Sequence, residues 1–328
     1  MKGSDLTPFQ HSLLEWYRAH RRALPWREER DPYRILLSEV LLQQTRVDQA
    51  IPYYHRFLER FPDLRSLGEA DLEEVLRVWQ GAGYYARARN LHKLAQIVSA
   101  EPPLPTNYAR LRELPGLGPY TAAAVASIAF DEPVAAVDGN VRRVISRLMA
   151  WENPTPAALQ AKAEEWLAAE SPGEWNQAMM ELGATLCAPR KPACRSCPLA
   201  RWCAGQASPE RYPAPRARQQ RATEAVALVL QGPYGVVLEP RQGRSLGGLW
   251  GVPMAEGRSL EPLLRRLAAS HGTTIPTPEH AGTVQHAFTH RRLTVQVYKS
   301  RWEGPAHDPQ SKPLSQLDRK ILRQAQAL

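Results

Sequence analysis

The sequence predicts a mostly α-helical N-terminal domain over residues 1–207 and an α+β domain over residues 223–328. Residues 7–10 (TPFQ) read as a capping box with proline at the first helical position, and apolar residues then recur at helical spacing. Residues 208–222 carry three prolines among several arginines, which is typical of a linker. Residues 224–230 and 236–239 are short apolar runs typical of paired strands.

The remaining elements follow from the same patterns. Asp31 and Pro32 begin a second helix. Further N-terminal helices are predicted near residues 45–60, 69–80, 84–100, 119–130, 138–150, 156–170 and 174–186. In the second domain we expect helices over 260–270 and 316–327 and strands over 283–288 and 293–301.

Composition limits the class of protein. The chain has 328 residues, 43% of them hydrophobic, so a folded protein with two cores is expected. No apolar run is long enough to span a bilayer, and the N-terminus lacks the apolar core of a signal peptide. We therefore expect a cytoplasmic location, beside a bacterial nucleoid if the partner is DNA. The net charge of +9 favours a polyanion, although an arginine excess that only maintains solubility is the alternative.

The four cysteines lie within seventeen residues, in the spacing C-x6-C-x2-C-x5-C from Cys187 to Cys203. A secreted disulfide scaffold spreads its cysteines over the chain, so this clustering indicates a metal or an iron–sulfur cluster. Structural zinc remains an alternative, but zinc sites usually pair two C-x2-C knuckles and this loop has one.

A glycine-rich turn separates two predicted helices. Residues 114–120 (LPGLGPY) place Pro119 at the first position of the second helix. Gly116 and Gly118 allow a tight turn and a close approach of the backbone to a ligand. The free N–H groups of the new helix can bind phosphate, although many helix–helix turns contain the same glycines.

Two carboxylates are candidates for chemistry. Glu39 lies in the middle of an apolar helix, where burial would raise its pKa and make it a useful general acid. An exposed Glu on an amphipathic helix is the alternative. Asp138 precedes a helix and has the position of an N-cap, a role compatible with an electrostatic function.

The cysteine spacing resembles the [4Fe–4S] loop of the endonuclease III superfamily of DNA glycosylases, and residues 114–120 resemble its helix-hairpin-helix. Residues 38–45 (SEVLLQQT), with 24–27 (LPWR) and 83–90 (GYYARARN), narrow the resemblance to the adenine DNA glycosylase (MutY) family. That family removes adenine mispaired with 8-oxoguanine. The resemblance runs over residues 6–203 and returns in the second domain.

The resemblance implies specific roles. Glu39 protonates adenine N7, Asp138 stabilises the oxocarbenium ion, and Tyr120 and Asn140 lie beside the sugar and the carboxylate. Bifunctional relatives have a nucleophilic Lys at position 120, so Tyr120 predicts a monofunctional enzyme. The residues implied to bind substrate are Arg22, Trp26, Arg27, Gln43, Gln44, Thr45, Tyr84, Glu181, Phe288, Thr289 and His290. Those implied to contact the DNA backbone are Gly116, Gly118, Arg190 and Lys191, and the implied cluster ligands are Cys187, Cys194, Cys197 and Cys203.

Two of the substrate residues, Gln44 and Tyr84, are implied to enter the duplex near the oxidised guanine. Without the surrounding motif, a helix-surface amide and a core aromatic would be the simpler interpretations. Glu181 is implied to lie near the adenine pocket.

Residues 244–253 resemble the Nudix-like C-terminal domain of the same family. Residues 263–270 lack the glutamates that hold Mg²⁺ in a working Nudix hydrolase, so recognition is the predicted role. Phe288, Thr289 and His290 match the loop that reads 8-oxoguanine, although the family usually has Ser in place of Thr289. An ordinary hairpin loop or a histidine metal site is the alternative.

The sequence thus predicts a monomeric DNA repair glycosylase, with duplex DNA containing 8-oxoguanine:adenine or guanine:adenine mispairs as its partner and one [4Fe–4S] cluster as its cofactor. Three alternatives remain. They are an endonuclease III-type glycosylase for damaged or mismatched pyrimidines, a damage-binding protein without catalysis, and a nucleotide hydrolase.

Overall fold

The computed structural model describes residues 6–215, 221–243, 246–288 and 291–328. By packing, these residues form two units. One contains residues 6–68 and 93–215, and the other contains residues 69–92 and 221–328. The predicted domains are continuous in sequence. In the structure, by contrast, residues 69–92 pack with the C-terminal part of the chain.

In the described chain up to residue 185, the regular secondary structure is α-helical. The helices are α1 (Pro8–His20), α2 (Pro32–Leu42), α3 (Val47–Arg60), α4 (Leu64–Glu69), α5 (Leu72–Val78), α6 (Ala86–Ala100), α7 (Tyr108–Leu111), α8 (Pro119–Phe130), α9 (Gly139–Leu148), α10 (Pro156–Glu165) and α11 (Pro172–Thr185). Three 3₁₀ turns follow, at Cys194–Ser196, Ala200–Trp202 and Pro209–Arg211.

Local sequence explains most helix starts. Thr7 accepts from the Gln10 backbone N–H while the Gln10 side chain accepts from Thr7 N, which confirms the capping box. The single helix predicted over 69–80 is wrong, because Asp71 is extended and caps a shorter helix, α5. The helices α4 and α7 were not predicted from the sequence.

The core of the first unit joins α1, α9 and α11. Leu13, Leu14 and Tyr17 of α1 pack with apolar residues of α9 and with Trp175 of α11. A Cβ added to Gly183 of α11 would lie 2.6 Å from Asn140 Cβ. Glycine at this position therefore lets α11 approach the start of α9, where Asp138 and Asn140 lie.

The second unit contains a mixed sheet. Its elements are β1 (Arg221–Gly232), β2 (Gly235–Val236), β3 (Glu239–Pro240), β4 (Trp250–Gly251), β5 (Met254–Glu256), α12 (Glu261–His271), β6 (Glu279–Ala287), β7 (Arg291–Arg301) and α13 (Gln316–Gln324). The order is β2-β1-β7-β6, with β5 also paired to β1 and a separate β3-β4 pair. β1 and β7 are parallel, and the other pairs are antiparallel.

Both faces of the sheet are covered. One set of β1 side chains packs with α13 and the other packs with α12, which explains its continuous apolar run. The predicted hairpin is confirmed by the pair Gln231–Val236. The single strand predicted over 236–239 is wrong, because Val236 pairs with β1 whereas Glu239 pairs with Gly251.

The described residues contain no helix with both the length and the apolar character needed to cross a bilayer.

Candidate active site

A cavity of about 1080 Å³ opens within the first unit, between α2, α8, α9 and α11. Eleven of the predicted site residues line it. They are Arg22, Trp26, Arg27, Glu39, Gln43, Gln44, Thr45, Tyr120, Asp138, Asn140 and Glu181. Residues separated by up to 159 positions in sequence are therefore brought to one cavity, which is large enough for a nucleobase and its sugar.

Glu39 is buried, with 6% of its surface exposed, so the alternative of an exposed Glu is excluded. Its Oε2 accepts a 2.6 Å hydrogen bond from the Tyr120 hydroxyl. Burial raises the pKa of Glu39 to about 7, the negative charge of Asp138 adds to that rise, and the Tyr120 hydrogen bond opposes it. At neutral pH the side chain is therefore divided between acid and carboxylate, as a general acid requires.

Tyr120 lies in the first turn of α8 and extends between two helices. Its hydroxyl lies 2.6 Å from Glu39 Oε2 on α2 and 3.3 Å from Met180 Sδ on α11. Burial and the neighbouring Glu39 carboxylate raise the pKa of Tyr120 well above its ordinary value. Tyr120 therefore stays protonated and acts as a hydrogen-bond donor beside the carboxylate.

Asp138 is the N-cap of α9, as predicted. Its Oδ1 accepts from Val141 N at 2.7 Å and its Oδ2 accepts from Asn140 Nδ2 at 3.0 Å. Burial raises the pKa of Asp138 above its ordinary value, although these hydrogen bonds oppose the rise. Both carboxylate oxygens are thus held in fixed directions at the edge of the cavity.

Arg143 was not identified from the sequence, but it links Asn140 to the cysteine loop. Its Nη2 donates to Asn140 Oδ1 at 2.8 Å and to the Gly183 carbonyl at 2.7 Å, while its Nε donates to the Cys187 carbonyl at 2.8 Å. A detectable signal was the pair Arg143 and Arg147, four residues apart and hence on one face of α9.

Glu181 holds two arginines at another wall of the cavity. Its carboxylate accepts from Arg22 Nε at 2.6 Å and from Arg27 Nη2 at 2.7 Å. Burial disfavours the charged form, but the Arg22 hydrogen bond and the two positive charges outweigh burial and lower the pKa of Glu181. Gln177, which the sequence analysis missed, accepts from Arg27 Nη1 at 2.9 Å.

The end of α2 is tied to the start of α8 at a second point. Gln43 Nε2 donates to Thr121 Oγ1 at 2.9 Å, next to Tyr120 in sequence. Gln44, which follows, is exposed and has a left-handed backbone with φ of 62°. Trp26 is buried edge-on against Tyr54, with ring centres 5.3 Å apart.

The glycine-rich turn leads into α8. Gly116 has φ of 81°, a conformation that favours glycine, whereas Gly118 has an ordinary φ of −69° and is the N-cap of α8. A Cβ added to Gly118 would meet nothing within 4 Å. The space beside Gly118, on the side where a Cβ would lie, is therefore open.

The four cysteines form a loop against the helical core, and Cys187, Cys197 and Cys203 pack on it. Arg147, which is buried, donates through Nη1 to Cys187 Sγ at 3.3 Å and through its guanidinium to the carbonyls of Ala188 and Pro189. Burial and the other three thiols raise the pKa of Cys197. Arg190 and Lys191 lie on the exposed edge of this loop.

The donor chemistry of this loop fits an iron–sulfur cluster. Four thiols lie on one short loop, and the buried Arg147 guanidinium donates to Cys187 Sγ, a contact that stabilises a thiolate ligand. In residues 6–215 and the other described ranges, no group of three or more Cys, His, Asp or Glu is arranged to hold a single metal ion. A cubane cluster binds its four thiolates through different irons, which spaces them more widely than one ion does.

The remaining predicted site residues belong to the second unit. Tyr84 is exposed, and Phe288 is half-buried, with its ring 4.7 Å from that of His286 and below the Arg291 guanidinium. Thr289 and His290 lie outside the described residues, so the predicted 8-oxoguanine loop and its histidine-metal alternative stay untested.

Residues 37–169 match the model of the HhH-GPD superfamily of base excision DNA repair proteins, and residues 225–324 match that of the NUDIX domain. An adenine DNA glycosylase of Rattus norvegicus is 35% identical over 92% of this chain and 72% of that protein. The chain belongs to the adenine DNA glycosylase family. Family and fold class are thereby confirmed as predicted.

Solved structures agree with this family assignment. A thermostable thymine-DNA glycosylase has a TM-score of 0.57 and 32% identity, covering 61% of this chain and 95% of that one. A non-covalent endonuclease III–DNA complex has a TM-score of 0.54 and 27% identity, covering 63% of this chain and 99% of that one. The helical part of the chain therefore has the endonuclease III fold.

Proposed function

We propose that the chain hydrolyses the N-glycosidic bond of adenine mispaired with 8-oxoguanine or guanine in duplex DNA. The observation that carries the proposal is the buried Glu39, with a pKa of about 7, hydrogen-bonded to Tyr120 in a cavity that also contains Asp138. Glu39 supplies an acid in this cavity, Asp138 supplies an anion, and Tyr120 supplies a fixed hydroxyl. Loss of a purine from a sugar needs the acid and the anion, and the hydroxyl holds the acid in place.

The chemistry follows glycosidase logic. Glu39 donates its proton to adenine N7, the C1′–N9 bond breaks, and its electron pair leaves with adenine as a neutral base. The sugar becomes an oxocarbenium ion, which the Asp138 carboxylate stabilises across the cavity or captures briefly. Glu39, now a carboxylate, accepts a proton from the attacking water, and the abasic sugar is left.

Tyr120 determines which reaction follows base loss. A nucleophilic lysine at this position would form an imine with the sugar and lead to strand cleavage. The phenol of Tyr120 has no amine and its hydrogen bond to Glu39 keeps it in the acid–base pair. We therefore assign a monofunctional glycosylase that leaves the strand intact until alkali treatment.

The adenine must leave the base stack to enter the cavity, at a cost of a few kcal/mol that is smallest for a mispair. We assign Trp26, Arg27, Arg22 and Glu181 to the walls that receive the flipped base. Gln44 and Tyr84 enter the duplex from which it has left. Phe288, Thr289 and His290 read the opposite 8-oxoguanine, with Gly116, Gly118, Arg190 and Lys191 on the DNA backbone.

The cluster is assigned to the cysteine loop, with Cys187, Cys194, Cys197 and Cys203 as ligands of one [4Fe–4S] group. Bound there, it supplies a rigid brace for the loop that bears Arg190 and Lys191, and base removal has no redox step. Purified protein is expected to contain about four irons per chain and to absorb in the visible range. Cys203→Ser should lower the iron content, and one zinc per chain with no iron would contradict the assignment.

The pH dependence of the rate follows from Glu39. Because its protonated form donates the proton and its pKa lies at about 7, the single-turnover excision rate should be highest below that pH and should fall about tenfold per unit well above it. The measurement is a rate profile between pH 5.5 and about 9, within the range where the protein stays folded. A rate that stays constant through that range would exclude Glu39 as the titrating acid.

One assay tests the function itself. Enzyme in excess is mixed with duplexes that carry adenine opposite 8-oxoguanine, and the products are resolved with and without alkali. We expect an abasic site at adenine that becomes a strand break only after alkali. A thymine opposite guanine is the comparison substrate, because the thymine-DNA glycosylase structure has the same fold. Release of thymine with no release of adenine would replace this function with the pyrimidine alternative.

The reaction requires access to chromosomal DNA, which supports the expected cytoplasmic location beside the nucleoid.

A further inference from the structure

Tyr84 combines exposure with an unusual backbone. It is 47% exposed, whereas most large apolar side chains in the described ranges are buried. Its φ is 48°, and Gly81 and Gly83 just before it also have positive φ angles of 98° and 73°. A left-handed conformation is costly for an aromatic residue, so the surrounding contacts must hold it there.

Trp79 and Arg87 hold the turn that presents Tyr84 (residues 79–85, here the Tyr84 turn). The Gly83 carbonyl accepts from Trp79 Nε1 at 3.0 Å and from Arg87 Nη2 at 3.1 Å. The Arg87 guanidinium lies 5.3 Å from the Trp79 ring and 5.4 Å from the Tyr84 ring. One cation thus fixes both the backbone of the turn and the direction of the exposed ring.

The same turn is anchored to the C-terminal domain at one carbonyl. Gln80 Nε2 donates to the Leu314 carbonyl at 3.0 Å, and the Tyr85 hydroxyl donates to the same oxygen at 3.3 Å. Gln80 lies near the first residue of the Tyr84 turn, and Tyr85 is its last residue. A single acceptor, which has two lone pairs, therefore fixes both ends of the turn.

Leu314 is a rigid point of attachment. Its side chain is fully buried in the core beneath α13, and its backbone forms a bridge with Trp250. The next residue, Ser315, caps α13 through a hydrogen bond from Asp318 N at 3.1 Å. The Leu314 carbonyl oxygen can therefore move only together with the C-terminal domain.

Two further residues join the same segment to the C-terminal domain. Glu73 accepts from Trp250 Nε1 at 3.2 Å and from Lys312 Nζ at 3.0 Å. Arg89 Nη1 donates to the Gly247 carbonyl at 2.6 Å. Residues 69–92 lie inside the stretch that matches the HhH-GPD family, yet their packing partners are C-terminal.

We propose that the C-terminal domain positions Tyr84 for insertion into the base stack, with Gln80 and Tyr85 as the positioning residues and the Leu314 carbonyl as their anchor. The inference rests on the proposed function, and gives the C-terminal domain a mechanical part in base flipping besides recognition. The ligand of Tyr84 is a nucleobase of the duplex beside the mispair, which stacks on its exposed ring.

A double-mutant cycle tests the positioning. Tyr85→Phe and Gln80→Leu each remove one donor from the Leu314 carbonyl, and each is made in the original chain and in Tyr84→Ala. With Tyr84 present, each substitution should slow single-turnover excision of adenine by roughly three- to tenfold, as expected for one hydrogen bond. With Tyr84→Ala, the same substitution should have almost no further effect, because nothing remains to be positioned.

A second readout does not require catalysis. A 2-aminopurine beside 8-oxoguanine reports stacking through its fluorescence when the uncleaved duplex is bound. Tyr85→Phe and Gln80→Leu should reduce the fluorescence change that binding causes, and neither should reduce it further in Tyr84→Ala. If the original chain releases no adenine, the proposed function fails while this readout still tests the positioning.

Tyr108→Phe is the matched control, since it removes a hydroxyl that contacts Arg112 at 3.3 Å on the exposed helix α7. It should leave excision and fluorescence unchanged. Equal losses from Tyr85→Phe in both backgrounds would overturn the proposal, and so would the absence of any loss in the original chain. Thermal unfolding of each variant separates a positioning defect from a folding defect, which would persist in Tyr84→Ala.

Discussion

Glu39→Gln is expected to bind the mispaired duplex with near-normal affinity and to release adenine about a hundred- to ten-thousandfold more slowly. Glutamine has the size of glutamate and can still accept the Tyr120 hydrogen bond, but it has no proton to give to adenine N7. Single-turnover excision and DNA binding are measured on the same duplex. Retained turnover would remove Glu39 as the acid.

The matched control is Glu59→Gln, which makes the same change at an exposed position on α3 and should leave the rate unchanged.

Stability provides a further check. The pKa of Glu39 is raised from its ordinary value of 4.5 to about 7, so the folded protein holds a proton that the unfolded chain releases. This contribution to the free energy of unfolding is complete below the lower value and is lost as pH rises through the higher one, by on the order of 3 kcal/mol. Glu39→Gln should lack that decline, since the amide does not titrate.

Asp138→Asn is expected to slow excision about a hundred- to a thousandfold while the protein stays folded. Asparagine is as good an N-cap as aspartate, so the bond from Val141 N to the side-chain oxygen is retained. The substitution removes the negative charge that, in the proposed mechanism, stabilises the oxocarbenium ion. The rate is measured at saturating enzyme, and the midpoint of thermal unfolding is measured in parallel.

Asp31→Asn is the control for this change. Asp31 caps α2 through a 2.8 Å hydrogen bond from Tyr33 N and does not line the cavity. It should alter neither the rate nor the midpoint by much. If Asp138→Asn also has a nearly normal rate, Asp138 acts only as a cap, and the stabilising anion must be sought elsewhere.

Eleven of the predicted site residues line one cavity, and they could be predicted because they lie in motifs that leave local signals. Thr7, Pro32 and Pro119 mark helix starts, and Glu39 stands out as a charge among apolar neighbours. The Glu39–Tyr120 hydrogen bond, by contrast, joins residues 81 positions apart, and no local pattern reports that distance. The raised pKa of Glu39 is therefore a property of the packed cavity.

Other features depend on long-range packing and were missed. Arg143 and Arg147 were not predicted as site residues, yet the fold turns them toward the cysteine loop. The strand predicted over 236–239 is interrupted because Val236 pairs with β1 while Glu239 pairs with Gly251, and these partners come from opposite sides in sequence. The packing of residues 69–92 with the C-terminal domain likewise has no signature in either segment alone.

The Leu314 anchor also sets an order of events during synthesis. Gln80 and its acceptor are 234 residues apart, so at about 5–20 residues per second the segment that carries Tyr84 leaves the ribosome roughly 10–50 s before its partner. The central strand β1 is likewise made well before β7, the parallel strand with which it pairs. The nascent chain therefore carries the Tyr84 turn without its anchor, and β1 without its parallel partner, until residues 291–314 have emerged.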